Sequence, residues 1–226
     1  MNAWDRFAAT FLDTDVMARY LPDIAAGFAT TVWLALLVVL AGLALGLALA
    51  LLRSLRFRPL SALIVLHVDL FRALPPLVVI VLLYFAMPNA GWSPSGFVAT
   101  WLALTLVLSA FAEEIFWGGI LSVPKGQWEA ARSTGLGFLA TLTWVVLPQA
   151  IRVTIPPLTN RTIAITKGTA LGSVVAVSEI LASAQTAVSF SFNPSPLTLG
   201  AAAYVVLFFP VVLFGRWVET RFAWKR

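Results

Sequence analysis

The sequence predicts an all-α integral membrane protein with five transmembrane helices, and three observations lead there. Hydrophobic residues make up 60% of the chain and charged residues only 11%, with a mean hydropathy of +0.92, which is the composition of a membrane-embedded protein. No charge occurs from Ile24 to Leu52, a run long enough to span a bilayer with some tilt. Two more uncharged stretches, Ala73 to Ala112 and Ile180 to Gly215, are each interrupted by turn signals. These are Pro88-Asn89-Ala90-Gly91 with Pro94 in the first, and Asn193-Pro194-Ser195-Pro196 in the second.

The five spans fall at about 24–52, 62–86, 96–121, 154–187 and 197–218. In the first, Gly42 and Gly46 form a GxxxG pattern followed at the same spacing by Ala50, and small residues four apart let two helices approach closely in lipid. In the second, Asp69 and Arg72 stand three apart, close enough to form a structural charge pair with each other. Glu113 and Glu114 lie near the end of the third. As neighbours they point about 100° apart on a helix and would not flank one substrate as a catalytic pair.

The fourth span is the least apolar. On an unbroken helix Thr159, Thr162, Thr166, Thr169 and Ser173 share one face, with Ala164, Gly168, Gly172 and Ala176 roughly opposite. The hydroxyl stripe, with Lys167 and Glu179 on the same helix, makes Thr162, Thr166, Lys167, Thr169, Ser173 and Glu179 the candidates for a polar translocation pathway. The competing readings are hydroxyls that only bond carbonyls one turn back, and a Glu179 held in a buried ion pair.

Between spans three and four lies a charged, helix-competent island, Gly126-Gln127-Trp128-Glu129-Ala130-Ala131-Arg132-Ser133-Thr134-Gly135. Pro124 suits its first turn and Gly135 its end. A helix this short is marginal alone and needs a surface to dock against. Trp128 offers apolar area, Ala130 and Ala131 allow close backbone approach, and Glu129 and Arg132 offer polar anchors.

Basic residues set the orientation. Arg53, Arg56 and Arg58 follow span one, Lys125 and Arg132 lie in the island, and Arg216, Arg221, Lys225 and Arg226 follow span five, while 88–95 and 190–196 contain no Lys or Arg. The positive-inside rule places the island and the C-terminus in the cytoplasm and the N-terminus outside. The same residues account for the formal charge of +5, which gives no reason to expect nucleic-acid binding. With no cysteine and one histidine, His67, disulfides, thiolate sites and a histidine-rich metal centre are excluded. The first apolar run is too long for a cleaved leader and follows Asp5, Asp13, Asp15 and Asp23 instead of a basic stretch.

Four blocks carry a family resemblance. They are His67-Val68-Asp69-Leu70-Phe71-Arg72-Ala73-Leu74-Pro75-Pro76-Leu77, then Ala112-Glu113-Glu114-Ile115 with Gly118-Gly119-Ile120, then the island, and last Leu147-Pro148-Gln149-Ala150-Ile151-Arg152 with Pro156-Pro157-Leu158-Thr159-Asn160 and Lys167-Gly168-Thr169-Ala170-Leu171. In order and spacing this resembles the histidine/glutamate/glutamine/arginine permease family of polar amino-acid ABC importers, over about residues 24–220. The resemblance implies the type I ABC importer permease fold. It also implies that the island, within a loop at about 122–137, is the EAA-loop coupling helix seated in a groove of a cytoplasmic ATPase. The coupling residues would be Gly126, Gln127, Trp128, Glu129, Ala130, Ala131 and Gly135. Three departures remove polarity: Ala73-Leu74 for the frequent Gly-Thr, Trp117 for the usual arginine, and Gly168 and Ala170 within the commoner Lys-Asp-Thr-Ser-Leu.

The expectation is therefore a permease subunit passing a polar amino acid inward across a bacterial inner membrane by alternating access. Residues 1–23 would be an extracytoplasmic segment, 24–220 the permease domain and 221–226 a cytoplasmic tail. The implied partners are an ATPase dimer, a second permease subunit (a homologous heterodimer partner in preference to a second copy), membrane lipid and a periplasmic or lipid-anchored amino-acid-binding protein. No cofactor belongs to this chain. ATP and Mg would be bound by the ATPase, since no G-x-x-x-x-G-K-[ST] loop is present, and the chain would not itself be an enzyme. A stand-alone secondary transporter is the alternative, weakened by five spans without a clear internal repeat. An intramembrane enzyme lacks a motif joining nucleophile to base.

Overall fold

The protein is described by a computed structural model of residues 2–222, the side chain of Phe222 excepted. Among the described residues it is helical, with no strand. Of the expected tail, only Arg221 and Phe222 fall inside the described residues.

Helix α1 (Ala3–Phe11) opens with a reciprocal cap, in which Asn2 accepts from the Asp5 amide and Asp5 accepts from the Asn2 amide. Helix α2 (Thr14–Ser54) begins well before the uncharged run and passes through Pro22. At 1.5 Å per residue it is about 60 Å long, against a hydrocarbon core of about 30 Å. Its first turns, with Asp15, Arg19 and Asp23, therefore extend beyond what one membrane crossing needs.

The second expected span is not one helix. Helix α3 (Arg58–Ala73) stops at Leu74, which adopts an extended ψ of 132°, as a residue before proline prefers. After Pro75 the chain restarts as α4 (Pro76–Val81), passes through a π turn at Leu82–Ala86 and a 3₁₀ turn at Met87–Ala90, and ends at Gly91 with φ +85°. Helix α5 (Gly96–Ser122) agrees with the expected third span. The island forms α6 (Lys125–Ser133).

The fourth expected span, 154–187, is also corrected. Helix α7 (Phe138–Thr141) continues through a π turn at Leu142–Val146 into α8 (Leu147–Thr166), and this tightens into a 3₁₀ helix over Lys167–Val175. The chain then breaks at Ala176, whose φ is +59°, before α9 (Ile180–Ser191) and α10 (Ser195–Phe222). Four helical stretches are long and apolar enough to cross a membrane, or five if the α3 and α4 segments count as one broken span.

The chain forms two compact units. The first comprises 1–38, 76–104 and 166–212. Its centre is Ile24, Ile180 and Ala184, packed by Phe28, Leu199, Ala203, Tyr204 and Leu207. A Cβ on Gly27 would lie 2.6 Å from the Ser183 hydroxyl and 2.9 Å from the Glu179 carbonyl oxygen, so α2 here touches the start of α9 backbone to backbone. The Thr31 hydroxyl donates to the Gly27 carbonyl and accepts from the Ile180 amide. The N-terminal segment is tied down at Ser195, whose hydroxyl accepts from the Asp13 amide and donates to the Thr10 carbonyl.

The second unit comprises 39–75, 105–165 and 213–226. Here the GxxxG surface of α2 meets α5. A Cβ on Gly42 would lie 2.7 Å from the Leu108 side chain, and one on Gly46 would lie 2.5 Å from Ala112 Cβ and 2.9 Å from the Ser109 carbonyl oxygen. Ala50 continues that contact into a cluster with Ala112, Phe116, Leu142, Val146 and Ala150. Because dispersion falls steeply with separation, this close approach is what small residues contribute in lipid.

Overpacking a filled contact costs about 1–3 kcal/mol. Gly46→Leu should therefore lower the melting temperature and the monodisperse yield of detergent-solubilised protein. Gly118→Leu, at a position with nothing within 4 Å of the added carbon, should leave both unchanged. Equal behaviour of the two variants in fluorescence-detected size-exclusion would rule out the α2–α5 contact.

Candidate functional site

Helix α6 separates the island's residues by face. Trp128 and Ala131, three apart, turn inward. Ala131 is buried, and the Trp128 ring stacks on Phe138 with centroids 5.7 Å apart. Both aromatic rings pack on the cluster containing Val123, Leu142 and Val146. Gly126, Glu129, Ala130 and Ser133 share the opposite face and are exposed. Trp128 and Ala131, expected to meet a partner, are instead the residues that seat α6 on its own chain. The face left exposed carries Gly126, Glu129, Ala130 and Ser133.

Gln127 links the island to the Leu147-Pro148-Gln149-Ala150 block, because the Gln149 side-chain amide donates to Gln127 Oε1 at 3.2 Å and to the Val145 carbonyl at 2.7 Å. The first bond brings residues 22 apart in sequence side by side. The helix ends at Thr134, whose hydroxyl donates to the Ala131 carbonyl, and Gly135 follows at φ +90°. That left-handed conformation favours glycine. A cavity of about 560 Å³ flanks α6, with Arg56, Trp117, Leu121, Lys125, Glu129 and Arg132 among its walls.

The paired charges of the second unit differ from expectation. Arg72 pairs with Glu114 at 2.7 Å, so the expected Asp69–Arg72 pair gives way to a contact with α5. Three residues of separation put Asp69 within reach of Arg72 along α3, but the packed helix offers Glu114 across a shorter gap. Arg53 pairs with Glu113, at 3.1 and 3.3 Å to its two oxygens, and the Glu113 side chain is fully buried. The same guanidinium lies 4.9 Å from the centre of the Trp117 ring, within cation–π range. Trp117 is thus a platform for Arg53, a role that no local sequence signal announces. Another contact the sequence did not reveal joins the His67 ring to the Ser109 hydroxyl at 3.0 Å.

The hydroxyl stripe was drawn on an unbroken helix, and that helix ends at Thr166. A 3₁₀ helix repeats every three residues, so Thr169, Gly172 and Val175 fall together on a buried face, joined by the buried Thr166. Lys167 and Ser173 occupy another row, on which Lys167 is exposed and Ser173 half-buried. Gly172 therefore shares the side of Thr169 instead of opposing it. The Thr169 and Ser173 hydroxyls donate to the carbonyls of Thr166 and Ala170, each at 2.8 Å, and Thr159 donates to Ile155. Thr162 sits in the last turns of α8.

Glu179 is fully buried, yet among the described residues it lies in no ion pair. It precedes α9 as its N-cap and accepts from the Leu181 amide at 3.0 Å and the Ala182 amide at 2.7 Å. The Tyr204 hydroxyl donates a further bond to it. A carboxylate at a helix N-terminus satisfies orphan amides and meets the positive end of the helix dipole. Among the described residues no group of three or more His, Cys, Asp or Glu is placed to hold a metal ion.

Comparison with known proteins agrees with this architecture. The profile of the family described as binding-protein-dependent transport system inner membrane component matches residues 42–224. The L-cystine transport system permease protein TcyB of Bacillus subtilis (strain 168) is 37% identical over 170 residues, covering 75% of this chain and 73% of that protein. The arginine transport system permease protein ArtQ of the same organism is 29% identical, over 93% and 97% of the two chains. Among solved structures, an amino acid ABC transporter crystallised with histidines has a chain with a TM-score of 0.82 at 30% identity, covering 91% of this chain and 96% of that one. The methionine ABC transporter MetNI in an inward-facing conformation shares the fold, with a TM-score of 0.64 at 19% identity over 99% and 100% of the two chains. With the profile covering most of the chain and the helical breaks described above, the protein belongs to the binding-protein-dependent transport system inner membrane components: it is a multi-pass permease subunit of an ABC importer, and ATP hydrolysis belongs to a separate subunit.

Proposed function

We propose that this subunit passes a polar amino acid into the cytoplasm by alternating access, driven by an ATPase dimer that docks on α6. The observation that carries the coupling reading is the division of α6 into two faces. Trp128 and Ala131 anchor it inward while Gly126, Glu129 and Ala130 remain exposed, a small-residue surface with one carboxylate that suits a groove on a partner. Gln127 and Gly135 hold the two ends of that surface in place. ATP and Mg belong to the docked ATPase. A second permease subunit completes the pathway, with a homologous but different chain favoured because Ala73, Trp117 and Gly168 reduce the polarity this subunit contributes. A periplasmic or lipid-anchored amino-acid-binding protein delivers the solute. The relatives' names, cystine and arginine permeases among them, support an amino acid as cargo.

The row of the 3₁₀ helix that carries Lys167 and Ser173 is the part of the expected pathway best placed to meet a solute, with Thr162 one turn before Thr166 on the preceding helix. Thr166 and Thr169 are buried behind it and shape the turn, and Glu179 closes the break that follows. The arginines after α2, the basic residues of α6 and the absence of Lys and Arg from 88–95 and 190–196 support an extracytoplasmic N-terminus and a cytoplasmic C-terminus.

A charge-assisted hydrogen bond contributes about 1.5–3 kcal/mol, which corresponds to about ten-fold or more in docking affinity. Glu129→Ala and Gly135→Leu should insert normally and lose most of the stimulation of ATPase activity by substrate-loaded binding protein. Trp128→Ala should instead lower the stability of the isolated permease, since it removes the stack on Phe138. Normal stimulation in well-expressed Glu129→Ala and Gly135→Leu would remove α6 as the docking element.

The parent chain has no cysteine, so single exposed sites can be labelled without background. A membrane-impermeant maleimide added to intact cells should react with Ser93→Cys and spare Ser133→Cys, while permeabilised cells should react at both. Labelling confined to Ser133→Cys from outside would invert the orientation and separate α6 from any cytoplasmic ATPase.

A further inference from the structure

One charged cluster of the second unit is not used by the coupling surface. Phe111 and Glu114 lie three apart on α5 and so face the same way. The Arg161 guanidinium carbon of α8 sits 3.9 Å from the centre of the Phe111 ring, and that of Arg72 sits 5.5 Å from the same centre. Arg72 is paired with Glu114 at 2.7 Å, with the two side chains 35% and 49% exposed. Among the described residues Arg161 has no carboxylate partner. The nearby carboxylate of Glu219 is taken by the side-chain amide of Asn160. Two guanidinium groups therefore share one ring, and only that of Arg72 is in an ion pair among the described residues.

That arrangement has a physical cost. An unneutralised arginine within a membrane span is expensive and marks an ion or substrate pathway. The Phe111 ring offsets part of that cost through its negative face, but a ring offers no hydrogen-bond acceptor comparable to a carboxylate. A guanidinium held over an aromatic ring by its central carbon can still offer its fork of N–H donors to a carboxylate bidentately. Arg72 is already engaged, so the free fork is that of Arg161.

We propose that Arg161, positioned on Phe111 beside the Arg72–Glu114 pair, is a transient binding site for a carboxylate of the transported solute. The inference rests on the amino-acid importer reading and adds a named contact to it. The carboxylate can be the α-carboxylate common to all amino acids or the side-chain carboxylate of an acidic one. The guanidinium of Arg161 attracts either carboxylate by the same Coulombic term.

The test uses the assembled importer in proteoliposomes, with its ATPase, second permease and binding protein, and measures ATP-driven uptake of L-glutamate, L-glutamine and L-arginine per assembled complex. Arg161→Gln should lower uptake of carried solutes about ten-fold, as loss of a charge-assisted bond predicts. Arg161→Lys, which keeps the charge and loses the fork, should retain part of it. A loss confined to L-glutamate assigns the side-chain carboxylate, whereas an equal loss for L-glutamate and L-glutamine assigns the α-carboxylate. Unchanged uptake of every carried solute in Arg161→Gln overturns the site and leaves the importer reading intact. Failure of Arg161→Gln to assemble, with assembly restored by Arg161→Lys, assigns the charge to a contact with the second permease and also overturns it. Absence of ATP-driven uptake of all three solutes by the unaltered complex would instead refute the amino-acid reading, and this site with it.

Discussion

A helix that breaks inside a membrane protein exposes amide groups to surroundings with little water to accept them, and everything near the break must be arranged to replace that water. Here the break lies between Val175 and Ile180, and Glu179 meets the need by capping Leu181 and Ala182. The carboxylate is in turn held by Tyr204, and the Ile180 amide is met by Thr31. Gly27 brings the α2 backbone close enough for Thr31 to reach. Four residues from distant parts of the chain thus share one task. A buried glutamate that looks like a membrane charge from its position is, in the folded chain, an extension of the backbone hydrogen-bond network. Replacing it with an apolar residue would leave two or more amides unsatisfied, at about 1–3 kcal/mol each.

The charges of the second unit follow the same economy by different means. Glu113 is fully buried and meets Arg53, whose guanidinium also rests over Trp117. Arg72 uses Glu114 and the Phe111 ring. Breaking such a buried pair by removing one partner is costlier than never having built it, which makes Arg53 and Glu113 a unit. The Trp117 platform shows how an aromatic side chain can take part in charge binding. It supplies a π face, and the cation arrives from α2.

The position of α6 depends on how it is held. A nine-residue helix does not persist alone, and the stack of Trp128 on Phe138 with the buried Ala131 supplies the missing packing. The Gln149–Gln127 contact ties the same helix to the π turn that precedes α8. Helix α6 is thereby joined to the start of α8 by side-chain contacts as well as by the chain itself.

The primary sequence by itself determined the membrane class, the third span, the island as a helix, the GxxxG contact and the family, because each rests on local composition, spacing or ordered motifs. Gly42 and Gly46 could be read as a packing surface since small residues four apart lie on one helix face whatever they touch. What the tertiary structure decided was which partner each side chain meets. Arg72 turned to Glu114 and not to Asp69, Glu179 became a cap and not half of an ion pair, and Trp128 stacked on Phe138. The helix that was to carry the hydroxyl stripe tightened into a 3₁₀ turn, which moved Thr169 and Gly172 to one side. The reason is common to all four. Periodicity encodes a face, but the partner a side chain meets is chosen by packing distance, and a change from 3.6 to three residues per turn reassigns every face beyond it.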